Sequence, residues 1–368
     1  MGKLLIKCLF LCLVVLTASI GLSALYKRFN PLPYSFASGT LHFKTTYLQT
    51  HSDSINTLFA GSSRVMREID PHLFDSLVDS SLHIKSFNYG VNWLAASELF
   101  YFIDKLTNDS SVHLKYIFIE LSKIKFVDFP NLNTTRVTHW YNPHDYWFTI
   151  NSTLHSNSSI LVKAASTASN SVSFISHLLN LGYVSTLNDF SATKKITEEK
   201  MKQLGNTYDG FGGMEGVAGK DVMEKSTEEN VLNRTTRFLK NTNGLTLRKK
   251  WSQYEFTKFE KQPALLDQYN PVYLERLNQM TDQLMSKGIY PVFLITPRSE
   301  KEQYEELLPI YAHLPAQHKI EICDSRKYPE LYAVENSLDE THLNKKGARI
   351  LTKILAEKFS QIHEPLAK

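Results

Sequence analysis

At 368 residues, with 42% hydrophobic and 12% aromatic side chains, the chain has apolar material for one elaborated domain or two small ones, which excludes a disordered tail. Its 41 basic and 37 acidic side chains leave a formal net charge of +4 without long blocks of one sign, so no electrostatic footprint for nucleic acid stands out. Of three cysteines, Cys8 and Cys12 lie in the apolar N-terminal run, which rules out an intramolecular disulfide framework and leaves Cys323 as a core thiol beside Ile320 and Ile322.

The first element is apolar. Nineteen residues from Cys8 to Tyr26 carry no charge, with Lys3 and Lys7 before them and Lys27-Arg28 after. At helical rise they are long enough to cross a bilayer. A cleaved signal peptide is the rival reading, with weak cleavage options near Ser19 and Ala24. We read residues 1–28 as a single-pass transmembrane anchor that places the globular part outside the cytoplasm, on the periplasmic or cell-surface side. Residues 29–52, containing Pro31 and Pro33, read as a linker.

From 53 to 368 strands and helices alternate. Ile55 to Ala60 reads as a buried strand that stops at Gly61-Ser62-Ser63-Arg64. Asp70-Pro71 supplies an N-cap and a first-turn proline for a helix to about Val78. A second strand is expected over Leu82 to Phe87, ending at Asn88-Tyr89-Gly90, and a core-facing helix over Leu94 to Leu106. Tyr116 to Ile119 is a continuous apolar run, as in a strand covered on both faces, with Glu120-Leu121-Ser122 at its exit. The pattern resumes with a helix from Asn270-Pro271 to about Lys287, a strand from Tyr290 to Ile295, a helix from Glu300 to His313 and a strand from Lys319 to Cys323. Asn344 caps a last helix with Ala348, Leu351, Leu355 and Phe359 on one face. This order predicts an α/β fold with a doubly wound, mostly parallel sheet.

Between 125 and 269 the alternation stops, which marks an insertion or cap subdomain. Its start is aromatic, with Trp140, Tyr141, Tyr146, Trp147 and Phe148, and a helical stripe runs through Leu161, Ala165, Ala168, Val172, Ile175 and Leu179. That stripe predicts a helix packed on the domain or lying against a membrane surface. Residues 191–250 are polar and glycine-punctuated, as expected of loop.

In a parallel sheet the strand ends that feed helices share one edge, where ligands bind. Gly61-Ser62-Ser63-Arg64, Asn88-Tyr89-Gly90 and Glu120-Leu121-Ser122 all fall there, and Asp339-Glu340-Thr341-His342 stands just before the last helix. An aspartate and a histidine three residues apart can serve one site, the carboxylate orienting the imidazole that takes a proton from a serine.

This order of motifs resembles that of the SGNH, or GDSL-like, hydrolases, over about 55–123 and 270–360. The resemblance aligns Ser63 with the family's nucleophile, Ser62 replacing the usual aspartate, and Gly90 with the glycine whose N–H serves the oxyanion. The Asp339–His342 element with Leu343-Asn344 and Gly347-Ala348 matches the closing block. It implies a flavodoxin-like SGNH hydrolase fold with Ser63, His342 and Asp339 catalytic and no cofactor or metal. The third block departs: Glu120-Leu121-Ser122-Lys123 stands where the family has Gly-x-Asn-Asp, so the asparagine donor is replaced by Ser122 or by Asn131 or Asn133. The oxyanion set expected is therefore Ser63, Gly90 and Ser122, with Arg64 and Asn88 as substrate contacts. Membrane-anchored relatives with degenerate third blocks resemble the alginate acetylation and teichoic-acid D-alanylation proteins.

Several signals have a plainer reading. Structural pairing is the commoner role for Arg64 and Arg67. His139 and His144 fit no standard zinc spacing, and Gly210-Phe211-Gly212-Gly213 lacks the last glycine of a dinucleotide fingerprint. Trp140, Tyr141 and Trp147 serve packing more often than sugar stacking. Five N-x-S/T sequons, beginning at Asn108, Asn133, Asn151, Asn157 and Asn233, matter only in a eukaryotic secretory route. The function expected is a membrane-anchored serine esterase or O-acyltransferase on an acylated polysaccharide or cell-envelope polymer, working with a membrane acyl-transfer partner protein. The alternatives are an inactive scaffold or binding subunit of an envelope-assembly complex and, third, a lipid esterase.

Overall fold

The structure, a computed structural model, describes residues 2–29, 39–78, 80–124, 137–179, 204–205, 208–213, 233 and 235–363. Two compact units are present, one drawn from Met1–Gly39 and Lys125–Lys195, the other from Thr40–Ile124 and Ile196–Lys368. The 125–269 segment expected as one insertion is thus divided between them. The segment 191–250 lies largely outside the described residues.

The second unit holds a five-stranded sheet in the order β2-β1-β3-β4-β5, every pairing parallel. Its strands are β1 (Thr57–Gly61), β2 (Ser86–Gly90), β3 (Tyr116–Glu120), β4 (Tyr290–Ile295) and β5 (Lys319–Glu321). The doubly wound order reverses between β1 and β3, so a crevice at their carboxyl ends is the expected ligand edge. Gly61 stands opposite Gly90 in register.

Side chains alternate across the strands and build a core on each face. Phe59, Phe118, Val292, Leu294 and Ile320 form one cluster with Val65 of α3 (Ser63–Glu68), Phe74 of α4 (Pro71–Leu77), and Leu351, Leu355 and Phe359 of the last helix (Lys345–His363). The Phe118 ring centroid lies 4.7 Å from Phe59, 5.3 Å from Phe74 and 5.0 Å from Phe359. Leu58, Ile117, Ile119 and Phe293 point the other way, where α5 (Ala96–Thr107) packs on β1 and the helix Pro271–Ser286 packs on β4. These two helices meet through Phe100 and Tyr273 and an Arg276–Asp104 ion pair of 2.7 Å.

Local caps set the helix starts as expected. Asp70 accepts the Leu73 N–H, Asn270 accepts the Tyr273 N–H, and Asn344 accepts the Gly347 N–H. Two elements differ from expectation. Part of the presumed linker is a helix, α2 (Gly39–Thr50), whose Leu41, Phe43 and Leu48 are buried. The second strand begins at Ser86, because Ser80–Leu82 closes a 3-10 turn and His83 has φ of 49°, outside the extended region.

The first unit holds α1 (Gly2–Phe29), α6 (Val137–Trp140), α7 (Pro143–Leu154) and α8 (Ile160–Leu178). Gly2–Leu22 of α1 has a mean hydropathy of 2.4 and no buried residue in its apolar window, long and apolar enough for a membrane span or a signal sequence. Trp140 and Tyr141 are fully buried, and the Tyr141 hydroxyl donates to Asn170 Oδ1 at 2.6 Å. That bond turns the polar side of α8 inward. Ser166, Asn170 and Ser173 are buried, while Leu161 and Val172 of the apolar stripe, expected to pack on the domain or lie against a membrane surface, are 79% and 64% exposed.

Candidate active site

The carboxyl end of β1 makes a tight entry into α3. Ser62 is the N-cap, its Oγ accepting the Arg64 N–H at 3.3 Å, and its own N–H donates to Glu120 Oε2 at 2.7 Å. Ser63 is therefore the first residue of the helix, and its N–H belongs to a first turn that has no partner within the helix.

Far along the chain, Asp339 folds the turn that carries His342. Its Oδ1 accepts the Thr341 N–H at 2.8 Å, the Thr341 hydroxyl at 2.9 Å and the His342 N–H at 2.9 Å. An aspartate bonding the backbone ahead of it is how such turns close without regular structure. Ser337 bridges to Leu343, and the Leu343 N–H donates to Glu68 Oε1 at 3.2 Å, fastening the turn to the end of α3.

These two loops bring Ser63 Oγ to 2.9 Å from His342 Nε2, and His342 Nδ1 to 3.1 Å from Asp339 Oδ1 and 3.2 Å from Oδ2. Thr341 Oγ1 also lies 2.8 Å from Nδ1. With the imidazole proton on Nδ1, facing the carboxylate, Nε2 has a lone pair for the serine hydroxyl. Burial lowers His342 from its ordinary value, outweighing Asp339, which raises it, and Arg67 and Arg64 add to the lowering. Neutral imidazole is the form that can act as a base. Ser63 and His342 are part-buried.

Beside them lies a buried ionic network that sequence reading missed. Glu120, at the end of β3, takes Arg298 Nη1 on Oε1 at 2.7 Å, with Arg64 Nη1 3.6 Å from the same oxygen. Burial pushes the Glu120 carboxyl up, but Arg298, Arg64 and the Ser62 N–H outweigh it and hold it below the usual range. Arg248, on the helix Asn243–Lys261, is fully buried and donates to the carbonyls of Arg298 at 3.0 Å, Pro297 at 3.1 Å and Glu340 at 3.4 Å. It ties the loop after β4 to the Asp339–His342 turn. Burial pushes Glu68 up to about 7 against the pull of Arg248 and Arg64. The signal for this network was a glutamate ending a buried strand, since buried carboxylates are rarely unpaired.

The other expected site residues are placed differently. Asn88 is fully buried, its amide donating to the carbonyls of Val65 at 2.6 Å and Ile69 at 2.8 Å while its Oδ1 accepts the Gly90 N–H at 2.9 Å. In place of the substrate contact expected, Asn88 braces α3 against β2. The Gly90 N–H, expected to serve the oxyanion, faces Asn88. The Ser122 carbonyl accepts the Tyr273 hydroxyl at 2.8 Å, and among the described residues Ser122 makes no hydrogen bond to Ser63 or His342. Asn131 and Asn133, the other candidate donors, lie outside the described residues. Arg64 takes the pairing role through Glu120, and its Nη2 donates to Ser299 Oγ at 3.1 Å.

The glycine cluster also has a structural role. Asp209 O accepts the Asn88 N–H at 2.7 Å, and the Gly212 N–H donates to Met66 O at 2.8 Å, so this loop buttresses β2 and α3. Lys44 of α2, fully buried, donates to the carbonyls of Asn88, Gly90 and Gly210 at 2.7 to 2.8 Å. Among the described residues no group of three or more histidine, cysteine, aspartate and glutamate side chains is gathered closely enough to hold a metal ion. Comparison with protein-family models, with curated proteins and with solved structures found no match for this chain.

Proposed function

We propose that the protein is a serine esterase or O-acyltransferase of SGNH-like type, held at a membrane by α1 with its globular part outside the cytoplasm, acting on an acylated glycan or cell-envelope polymer. The observation that carries this reading is the continuous hydrogen-bonded line from Ser63 Oγ through His342 to Asp339 at the edge where β1 and β3 diverge. Ser63 attacks the acyl carbonyl as His342 Nε2 takes its proton, and Asp339 supports the imidazolium that forms. His342 then returns the proton to the leaving alkoxide. Water or a polymer hydroxyl, activated in turn by His342, resolves the acyl-enzyme, giving hydrolysis or transfer. The Ser63 N–H is the donor best placed for the oxyanion, and the Gly90 N–H joins it only by leaving Asn88.

A second reading, a scaffold subunit of an envelope-assembly complex that retains the fold, draws on that engaged Gly90 N–H and on Ser122 standing where an asparagine donor is expected. The two are separated by labelling the full-length protein in detergent with a fluorophosphonate and assaying acetylated sugars alongside phospholipid. Labelling at Ser63, with turnover of acetylated sugars reduced at least about a thousandfold in Ser63→Ala and His342→Ala, is the expected result. No labelling of folded protein rejects the esterase, and turnover of phospholipid alone moves the substrate to lipid.

A further inference from the structure

Helix α8 is built the wrong way round for water. Its inward side is polar: Ser166, Asn170 and Ser173 are buried, and Asn170 accepts the Tyr141 hydroxyl at 2.6 Å and donates to the Ser166 carbonyl at 2.8 Å. The Tyr146 hydroxyl adds a bond of 2.9 Å with Ser171 Oγ. Its outward side is apolar. Leu161, Ala165, Ala168, Val172 and Ile175, three and four residues apart and so on one face, are all exposed. After Lys163 the helix has no aspartate, glutamate, lysine or arginine. A surface helix of a domain in water shows the reverse pattern, apolar inward and charged outward. Small polar side chains bonding inward beneath an aliphatic exterior is how helices pack where lipid is the solvent.

The neighbours of α8 in the same compact unit indicate what covers this face. Helix α1 touches α8, and none of the residues in its apolar window is buried, so its apolar surface is as open as that of α8. Helix α7, also packed on α8, exposes Trp147 and Leu154, which share a face because seven residues make about two turns. Tryptophan favours the boundary between bilayer and water, where its ring meets acyl chains and its N–H meets headgroups. A protein partner would have to match three separate helix faces, whereas one apolar layer takes all of them.

We propose that the exposed face of α8, with Trp147 and Leu154 of α7, lies in the lipid interface beside α1, as a second membrane contact of this chain. The proposal rests on α1 being an uncleaved anchor and is independent of the chemistry at Ser63.

The test uses the full-length protein in phosphatidylcholine vesicles. Cys8→Ser and Cys12→Ser leave Cys323, which is buried, as the remaining native thiol. Nitroxide labels are then placed one at a time through Leu161→Cys, Val172→Cys and Ile175→Cys. Leu13→Cys in α1 is the lipid reference, and Asp282→Cys, exposed on the helix Pro271–Ser286, is the water reference. Collision of each label with oxygen, which concentrates in lipid, and with a nickel chelate, which stays in water, reports its surroundings. The three α8 labels are expected to favour oxygen over nickel, opposite to Asp282, at a depth of about 5–10 Å, shallower than Leu13. Labels on α8 that behave like Asp282 while Leu13 lies in lipid overturn the proposal and spare the anchor. Both sets in water overturn both. Labels shielded from both reagents mean that protein covers the face, which also overturns it. A second measurement needs no substitution: photolysis of the unaltered protein with a diazirine-tailed phosphatidylcholine should attach lipid to peptides from 160–178 as well as from α1, and attachment to α1 alone rejects the second contact.

Discussion

His342 stands between opposing influences, and their balance sets a pH dependence. Burial disfavours its cation, Asp339 at 3.1 Å favours it, and Arg67 and Arg64 weigh against it, so the net value lies below the ordinary 6.5. A general base works in its neutral form. Activity should therefore be level at neutral pH and fall on the acid side with a midpoint below 6.5, read from kcat/KM against pH. A midpoint above 6.5 would contradict the balance. Stability carries the same sign. The unfolded histidine takes up a proton that the folded one refuses, so stability is lost as pH falls from the unfolded value toward the lower folded one. Asp339→Asn removes the influence that raises His342, and it should move the acid midpoint further down. It should also slow turnover severely, since the equivalent change in a well-studied serine protease costs about ten-thousandfold.

The contact between β2 and α3 decides how Ser63 is held. A Cβ built on Gly90 meets the backbone nitrogen and Cα of Met66, atoms that cannot step aside as a flexible side chain would. Gly90→Ala should destabilise the fold by roughly 1–3 kcal/mol in urea unfolding and reduce kcat as well, because the helix it displaces begins at Ser63, the nucleophile of the proposed reaction. Gly288→Ala is the matching control. Its φ of 73° brings backbone strain, but nothing lies within 4 Å, so stability should fall by about 1–2 kcal/mol with kcat unchanged. These elements also mark what sequence could show. The β1, β3 and β4 runs and the caps Asp70, Asn270 and Asn344 were legible because apolar runs and side-chain caps act within a few residues. Helix α2 was not, since buried Lys44 and Thr45 interrupt its apolar positions, and the carbonyls that accommodate Lys44 come from residues 88, 90 and 210. Asn88 was misread as a substrate contact for the same reason. A polar side chain at a strand end looks alike whether its partner is a ligand or the α3 backbone.

The Ser63, His342 and Asp339 line belongs wholly to the unit containing the sheet, yet the chain crosses hundreds of residues between its ends, so distant segments must fix its geometry. Arg248 is the clearest such fastening. From a helix in the segment expected to be an insertion, it bonds two carbonyls after β4 and the Glu340 carbonyl, two residues before His342. Arg248→Met keeps most of the stem and removes every donor, leaving buried carbonyls without partners at about 1–3 kcal/mol each where no rearrangement or water relieves them. It also deletes a positive charge that pulls the Glu68 carboxyl down against its burial. Thermal unfolding should shift down by an amount equivalent to roughly 2–4 kcal/mol, and fluorophosphonate labelling of Ser63 should slow even where the variant is fully folded, because the turn carrying His342 loses its tie. Arg248→Lys restores charge but not the planar fork that reaches separate carbonyls, so it should recover part of the stability and less of the labelling rate. Full recovery of both by lysine would mean that charge alone matters at this position. An unchanged labelling rate in a destabilised Arg248→Met protein would show that the His342 turn holds itself through Asp339 and Glu68 without help from the helix.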